Sequence, residues 1–277
     1  MARDPVAPQE RRLGFPRDLV PGRVRGPGRQ TWPGHSRMRN ACASARLAPN
    51  DTLPSFMTSG APSPLRSLRL AVLGAGHVGP VIARIAVAAG YDVAIAGSAE
   101  PERIELITQV LVPGAQAGWA ADAVADADLV VLAIPVHRFE TFDSGLVAGK
   151  IMVDAMNYWP SADGVRELFE DDRYGSSEIV QQRLDRSTVV KALNHIAYQD
   201  LEDDRRPAGS PDRRALGVAG DDQHAVGMVA EVIERIGYDA VILESLRAGR
   251  LLEPGGPVFG ASLRRPEFER ALQADAA

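Results

Sequence analysis

Six residues of this chain have the types and spacing of a phosphate-binding loop. They are Gly74-Ala75-Gly76-His77-Val78-Gly79, a GxGxxG pattern. In such a loop the first glycine permits a tight turn, the second lets the backbone approach a pyrophosphate, and the third allows close helix–strand packing. The following helix offers N–H groups and its positive dipole end to the phosphates. The pattern gains meaning only where a strand precedes it and a helix follows.

A second signal concerns the nucleotide that such a loop would bind. NAD-binding chains usually carry an acid at the end of the second strand, where it holds the ribose 2′-hydroxyl. This chain has Gly97-Ser98-Ala99 there, which favours NADP because no carboxylate repels a 2′-phosphate, although NAD remains an alternative. Arg103 supplies a positive charge one helical turn later, whereas Glu100 and Glu102 oppose it. Ser98 has an alternative role as the N-cap of the next helix.

The elements that position these residues follow from apolar patterns along the chain. The predicted strands are 68–73, 92–96, 129–134, 150–154, 188–193, 215–219 and 240–243, with a weak strand at 118–120. The predicted helices are 78–89, a helix through 103–110, 121–125, 139–147, stretches within 164–172 and 176–185, 222–236 and 263–274. This alternation predicts an α/β fold, a Rossmann-type doubly wound and mostly parallel sheet with a smaller C-terminal α/β portion.

Composition divides the chain into an extension, 1–66, a dinucleotide-binding domain, 67–187, and a C-terminal α/β substrate portion, 188–277. The first 56 residues hold ten arginines, four acidic residues and eight prolines without apolar periodicity, which predicts disorder. Three explanations fit this composition: a transit peptide, a nucleic-acid-binding arm, or a start codon assigned too far upstream. We favour the last, with Met57 as the initiator.

Charge and composition exclude several classes of protein. The formal net charge is −5, and because residues 1–56 carry +6, the remainder carries −11. The strongly acidic charge of residues 57–277 argues against a nucleic-acid-binding core. The sequence has no run of about 18 apolar residues that could cross a membrane. Its single cysteine and five scattered histidines do not have the spacing of a metal-binding site. We expect a soluble, cytoplasmic protein that acts on a small-molecule cofactor, without metal, nucleic acid or membrane; a homodimer is compatible with the sequence.

Further motifs follow the glycine loop in a fixed order. They are Gly97-Ser98, Ala133-Ile134-Pro135, Gly149-Lys150-Ile151-Met152-Val153, the segments 190–195 and 218–222, and Arg250-Leu251-Leu252-Glu253. From residue 67 to about 262, this ordered set resembles the NADPH:coenzyme F420 oxidoreductase family. The resemblance implies an enzyme that transfers a hydride between NADP(H), bound on the glycine loop, and the deazaflavin coenzyme F420 as second substrate.

The resemblance also implies roles for individual residues. Ser98 would contact the 2′-phosphate, Ala133-Ile134-Pro135 would border the nicotinamide, and Asn194 and His195 would lie beside the deazaflavin. The family often has an arginine after the serine, where this chain has Ala99.

Other candidates follow from position alone. Asn157 lies just beyond the strand that ends at Asp154, so we expect it to contact the substrate, and Tyr158 and Trp159 either flank a planar ring or simply pack. Asp154 itself is predicted to be a structural hydrogen-bonding residue.

We predict no catalytic acid, base or nucleophile, because hydride transfer between two bound rings needs none. Only 142 residues follow Pro135, which leaves little room for a large helical second domain. Two other functions stay open, namely an NAD(P)H reductase of a flavin, quinone or imine, and a non-catalytic NADP(H)-binding sensor.

Some residues also keep two interpretations. His77 either contacts the cofactor or is a solvent-exposed loop residue. Asn194 and His195 either form part of the ligand-binding site or are a hydrogen-bonded structural pair. The loop 200–214 is either a solvent-exposed loop or a loop in which one arginine binds the anionic tail of the deazaflavin.

Overall fold

Short apolar runs of the chain become the strands of one sheet. The computed structural model describes residues 68–98 and 100–275, and the predictions about residues 1–66, Met57 and Ala99 lie outside these ranges. The strands of the sheet are β1 Arg69–Leu73, β2 Asp92–Ala96, β3 Gln116–Ala117, β4 Leu129–Leu132, β5 Ile151–Asp154, β6 Thr188–Lys191, β7 Ala215–Gly220 and β8 Asp239–Leu243.

The strand order is β3-β2-β1-β4-β5-β6-β7-β8. Every neighbouring pair is parallel except β6 and β7, which run antiparallel. The first six strands have the order of a doubly wound dinucleotide-binding sheet, which confirms the predicted fold class. The predicted boundary between residues 187 and 188 falls within this sheet, because β5 and β6 pair with each other on either side of it.

Helices cover both faces of the sheet. They are α1 Val78–Ala88, α2 Pro101–Leu111, α3 Ala120–Ala125, α4 Val136–Phe139, α5 Pro160–Asp163, α6 Ser176–Arg183, α7 Asp200–Asp203, α8 Gln223–Ile236 and α9 Arg265–Asp275. Short 3-10 turns lie at Ser144–Val147, Glu167–Phe169 and Arg247–Leu252. On one face α1 and α8 pack over residues such as Val72 and Leu216, and on the other α3, α4 and α6 pack over Leu132. All four residues of β4 are buried, as expected of a central parallel strand.

Several predicted elements are wrong in extent. The weak strand predicted at 118–120 is instead β3 at Gln116–Ala117, and the strand predicted over 129–134 ends at Leu132. The helix predicted over 139–147 is replaced by α4 and the 3-10 turn Ser144–Val147, because the Asp143 side chain accepts a hydrogen bond from the Gly145 N–H and starts a new turn. The helical stretch within 164–172 shrinks to a 3-10 turn after Gly164, whose φ of 71° lies in the left-handed region. The strand predicted to Leu193 ends at Lys191, because Leu193 itself has a φ of 64°.

Two properties of the described part of the chain bear on its partners. Within residues 68–98 and 100–275, no helix combines the length and apolar character needed to cross a membrane. The same residues contain no group of three or more His, Cys, Asp or Glu side chains placed to hold a metal ion. The cellular location and a homodimer stay predictions.

Candidate functional site

The glycine loop is held by backbone packing at its first and last glycines. Gly74 has a φ of 129°, and its N–H donates to the carbonyl of Ala96 at the end of β2, at 2.8 Å. A Cβ placed on Gly74 would lie 2.2 Å from the carbonyl oxygen of Ala133, and one on Gly79 would lie 1.7 Å from that of Gly74. Both positions therefore exclude any side chain.

The middle of the loop is open. Among the described residues, no atom lies within 4 Å of a Cβ placed on Gly76, and Gly76 and His77 are both exposed. His77 is the N-cap of α1, and no side chain of the described residues caps this helix there. Ala75 and Val78 are half-buried on either side. An open loop leading to an uncapped helix N-terminus offers backbone N–H groups to an anion.

The end of β2 places the residues predicted to meet the 2′-position of the nucleotide. Gly97 packs against Ala75 of the loop, since its added Cβ would lie 3.5 Å from the Ala75 Cβ. Ser98 is exposed. The alternative role of Ser98 as a helix cap is wrong, because α2 begins at Pro101 and its N-cap is Glu100. Arg103 is exposed and pairs with Glu100, with 3.3 Å between Nε and Oε2.

The end of β4 lies against the glycine loop. The Ala133 N–H donates to the carbonyl of Leu73 at 2.9 Å, and the Ala133 carbonyl faces Gly74. Ile134 is half-buried against the apolar core, and Pro135 is exposed as the N-cap of α4. The predicted nicotinamide-bordering segment therefore adjoins the loop that would carry the phosphates.

Two asparagines join the ends of β5 and β6. The Asn157 Nδ2 donates to the Asn194 carbonyl at 2.6 Å, and the Asn194 Nδ2 donates to the Asn157 Oδ1 at 3.0 Å and to the Leu252 carbonyl at 2.6 Å. Leu193, a buried residue, adopts a left-handed φ just before Asn194. Such strain in a bulky residue is costly and tends to cluster at functional sites. The structure thus brings Asn157 and Asn194 together at the sheet edge where such folds bind ligands.

His195, in contrast, lies in the interior with 1% of its surface exposed. Its Nε2 accepts a hydrogen bond from the Gly217 N–H at 3.1 Å, and its ring packs against Phe268. Burial, together with the positive charges of Arg214 and Lys191, lowers the pKa of His195 to about 3. The ring is therefore neutral, and this placement fits the structural pair rather than a contact with a ligand.

An ion pair buried between β5 and β6 was not foreseen. Lys191 and Asp154 face each other in register, both fully buried, with 3.2 Å between Nζ and Oδ2. The Lys191 Nζ also donates to the Met156 carbonyl at 2.8 Å and to the Ser176 Oγ at 3.2 Å, while the Asp154 Oδ1 accepts from the Met156 N–H at 3.0 Å. The pair therefore fixes the backbone that leads to Asn157. A lysine inside an apolar strand was the signal in the sequence.

The hydrogen bonds around Lys191 and Asp154 extend to Glu253, the last residue of the Arg250–Glu253 motif, which gives that residue a structural role. Glu253 Oε1 accepts from both the N–H and the Oγ of Ser176, at 2.8 Å each. The Ser177 Oγ donates to Asp154 at 2.5 Å. The structural role predicted for Asp154 agrees with these contacts.

The structure corrects both interpretations for two arginines of the loop 200–214, Arg213 and Arg214, whereas Arg205 and Arg206 are half-buried. Arg213 is buried and pairs with Glu234 at 2.9 Å, and Arg214 is buried and pairs with Asp204 at 2.8 Å. Neither is solvated, and neither is free to meet an anionic tail. Opposite charges from α8 and from the start of the loop compensate their burial, which the local sequence alone does not reveal.

Comparison with known proteins adds to this geometry. Residues 69–158, from β1 to just beyond Asn157, match the family model described as NADP oxidoreductase coenzyme F420-dependent. This segment is similar to that family. The resemblance inferred from the ordered motifs is thereby confirmed, and the match supports an NADP-dependent oxidoreductase that binds NADP(H). No curated protein matches the sequence.

Two solved structures are similar over most of the described fold. A hypothetical protein from Sinorhizobium meliloti is 29% identical, with a TM-score of 0.60, and the match covers 72% of this chain and 96% of that one. A candidate F420-dependent NADP-reductase from Arthrobacter sp. FB24 is 25% identical, with a TM-score of 0.57 over 72% of this chain and 100% of that one. The described fold therefore corresponds to nearly the whole of both relatives.

Proposed function

We propose that this chain transfers a hydride between NADP(H) and the deazaflavin coenzyme F420. The observation that carries the proposal is the family match over residues 69–158, which contains the glycine loop, the end of β4 and Asn157 in one continuous segment. The Arthrobacter protein, described as a candidate F420-dependent NADP-reductase, is matched over its full length, which adds support to the proposal.

The residues present fit a dinucleotide. Gly76 leaves open space where a Cβ would otherwise project, and the N-terminus of α1 provides N–H groups for a pyrophosphate. The Ala133–Pro135 segment would then border the nicotinamide, since it packs directly on Gly74. When bound, the nicotinamide supplies or accepts the hydride. The chain's own task is to orient the two rings and to exclude water between them.

Three buried groups at the ends of β5 and β6 are not placed to act as a general acid on an imine. An imine or carbonyl substrate needs a proton from a positioned general acid. Here Asp154 and Lys191 are buried and paired with each other, and His195 is buried and neutral. These three groups therefore serve the structure, which suits a hydride transfer whose accompanying proton comes from solvent.

A steady-state assay of the purified full chain tests the proposal. NADPH oxidation is followed with coenzyme F420 and, at matched concentrations, with FMN, a quinone and a cyclic imine; NADH replaces NADPH in a parallel series. We expect turnover with F420 to exceed that with the other acceptors at least tenfold.

Each contrary result identifies one of the alternatives. Faster turnover of FMN, the quinone or the imine would make the chain a reductase of that acceptor. Saturable binding of NADPH without turnover of any acceptor would make it a nucleotide sensor.

A further inference from the structure

An exposed tryptophan lies beside Asn157 at the end of β5. Trp159 is 42% exposed, and its ring makes an edge-to-face contact with Phe259, with 5.7 Å between ring centroids and 62° between planes. Phe259 comes from the C-terminal part of the chain, exactly 100 positions further on, and is itself half-buried. Because an indole has two faces and one phenyl ring covers at most one of them, an aromatic surface remains uncovered by Phe259.

The backbone of Trp159 is held in place. Its N–H donates to the Asp163 Oδ2 at 2.9 Å, and its carbonyl accepts from the N–H groups of Ala162 and Asp163 at 2.9 and 2.7 Å. Its neighbour Tyr158 has other partners: it packs on Phe169, with centroids 5.4 Å apart, and its hydroxyl donates to Glu170. The indole is therefore presented from a rigid turn.

The polar neighbour of the indole retains hydrogen-bonding capacity. Asn157 uses one amide N–H and one lone pair of Oδ1 on Asn194. A primary amide has two donors and two acceptor sites, so one of each remains. An exposed aromatic face two residues along the chain from an amide with a free donor and acceptor suits a flat heteroaromatic ring with carbonyl and ring-nitrogen groups along one edge.

We propose that Trp159, buttressed by Phe259, is the surface on which the planar ring of the second substrate stacks, with the polar edge of that ring facing Asn157. The ligand class is a flavin or deazaflavin ring system. This inference rests on the proposed function, because the proposed reaction requires such a ring at the same edge as the nicotinamide.

Binding measurements with three variants test the proposal. Coenzyme F420 and FMN are titrated into the full chain saturated with NADP+, a state in which no hydride is available for transfer. Because stacking on an aromatic side chain contributes directly to binding, Trp159→Leu should raise the Kd for F420 and FMN about tenfold. Trp159→Phe keeps a ring and should restore most of the affinity.

Trp119 provides a matched control. It too is an exposed N-cap tryptophan of a short helix, but it follows β3, the terminal strand of the sheet, which β2, β1 and β4 separate from β5. Trp119→Leu should leave both Kd values unchanged, and all three variants should keep the wild-type Kd for NADPH.

The outcomes separate this inference from the proposed function. If the wild type turns over F420 while Trp159→Leu keeps its Kd, the stacking surface is wrong and the proposed function stands. If the wild type binds FMN through Trp159 but does not turn over F420, the proposed function is wrong and the stacking surface stands. Binding of neither ring by the wild type overturns both, and a change of oligomeric state in Trp159→Leu assigns the indole to a contact between copies instead.

Discussion

The imidazole ring of His77 lies nearly parallel to the phenol ring of Tyr198, with centroids 5.6 Å apart and 16° between the ring planes. His77 belongs to the glycine loop after β1, and Tyr198 belongs to the segment after β6. The ring pair therefore connects the loop that would bind phosphates to the part of the chain that carries Asn194. Of the two interpretations of His77, a contact with the cofactor or simple exposure, the structure shows an exposed residue whose ring also has an aromatic partner.

Loss of this ring pair should weaken nucleotide binding. Stacked aromatic pairs contribute about 0.5–1.5 kcal/mol, so Tyr198→Ala should raise the Kd for NADPH about two- to tenfold by releasing the loop. Tyr198→Phe keeps the ring and should bind as the wild type does. Tryptophan fluorescence or calorimetric titration measures both. Equal affinities of the Ala and Phe variants would show that the stacking does not order the loop.

The glycine loop gives a prediction in which binding and stability separate. Because no described atom lies near a Cβ on Gly76, Gly76→Ala should leave the melting temperature unchanged and raise the Kd for NADPH at least tenfold, through contact with the pyrophosphate. Gly79→Ala should instead destabilise the fold, by about 1–3 kcal/mol or more, because its methyl group would meet the Gly74 carbonyl. Wild-type NADPH affinity in Gly76→Ala would refute the assignment of this loop.

Cofactor preference should depend on the end of β2. A charge-assisted phosphate contact is worth roughly 1.5–3 kcal/mol, or about tenfold to a hundredfold in affinity. We expect NADPH to bind more tightly than NADH by a factor towards the lower end of that range, because Arg103 already forms an ion pair with Glu100. Ser98→Asp should reverse the preference by repelling the 2′-phosphate and accepting from the 2′-hydroxyl of NADH.

Two further variants isolate the charge at that site. Glu100→Gln should release Arg103 and strengthen NADPH binding, whereas Arg103→Ala should weaken NADPH and leave NADH nearly unchanged. The ratio of the Kd values for NADPH and NADH is the measurement. An unchanged ratio in Ser98→Asp would place the 2′-phosphate elsewhere.

The sequence predicted the sheet because its signals are local. The apolar run of β4 and the glycines that follow β1 specify strand and turn without reference to distant residues. The burial of Lys191, Arg213 and Arg214 could not be predicted in the same way, because each charge is compensated by a partner on another element. The contact of Trp159 with Phe259 was missed for the same reason.

Removal of the buried lysine should test the support beneath Asn157. Lys191→Met leaves Asp154 buried without its cation, and breaking a buried pair costs about 3–5 kcal/mol. Urea denaturation should show this loss, and Lys191→Met combined with Asp154→Asn should recover part of it. Arg103→Ala, which breaks an exposed pair, should cost no more than about 1 kcal/mol. A stability change in Lys191→Met no larger than that of Arg103→Ala would contradict the role assigned to the pair.

Buried His195 should make stability depend on pH in a defined direction. Its pKa is lowered to about 3 in the folded chain, against about 6.5 in the unfolded chain. Between these values the unfolded state binds a proton that the folded state does not, so the contribution of His195 is complete above pH 6.5 and falls with decreasing pH, by at most about 1.4 kcal/mol per pH unit. The difference in unfolding free energy between the wild type and His195→Gln should therefore shrink from pH 7.5 to pH 5. A difference that is the same at both pH values would show that folding does not lower the pKa of His195.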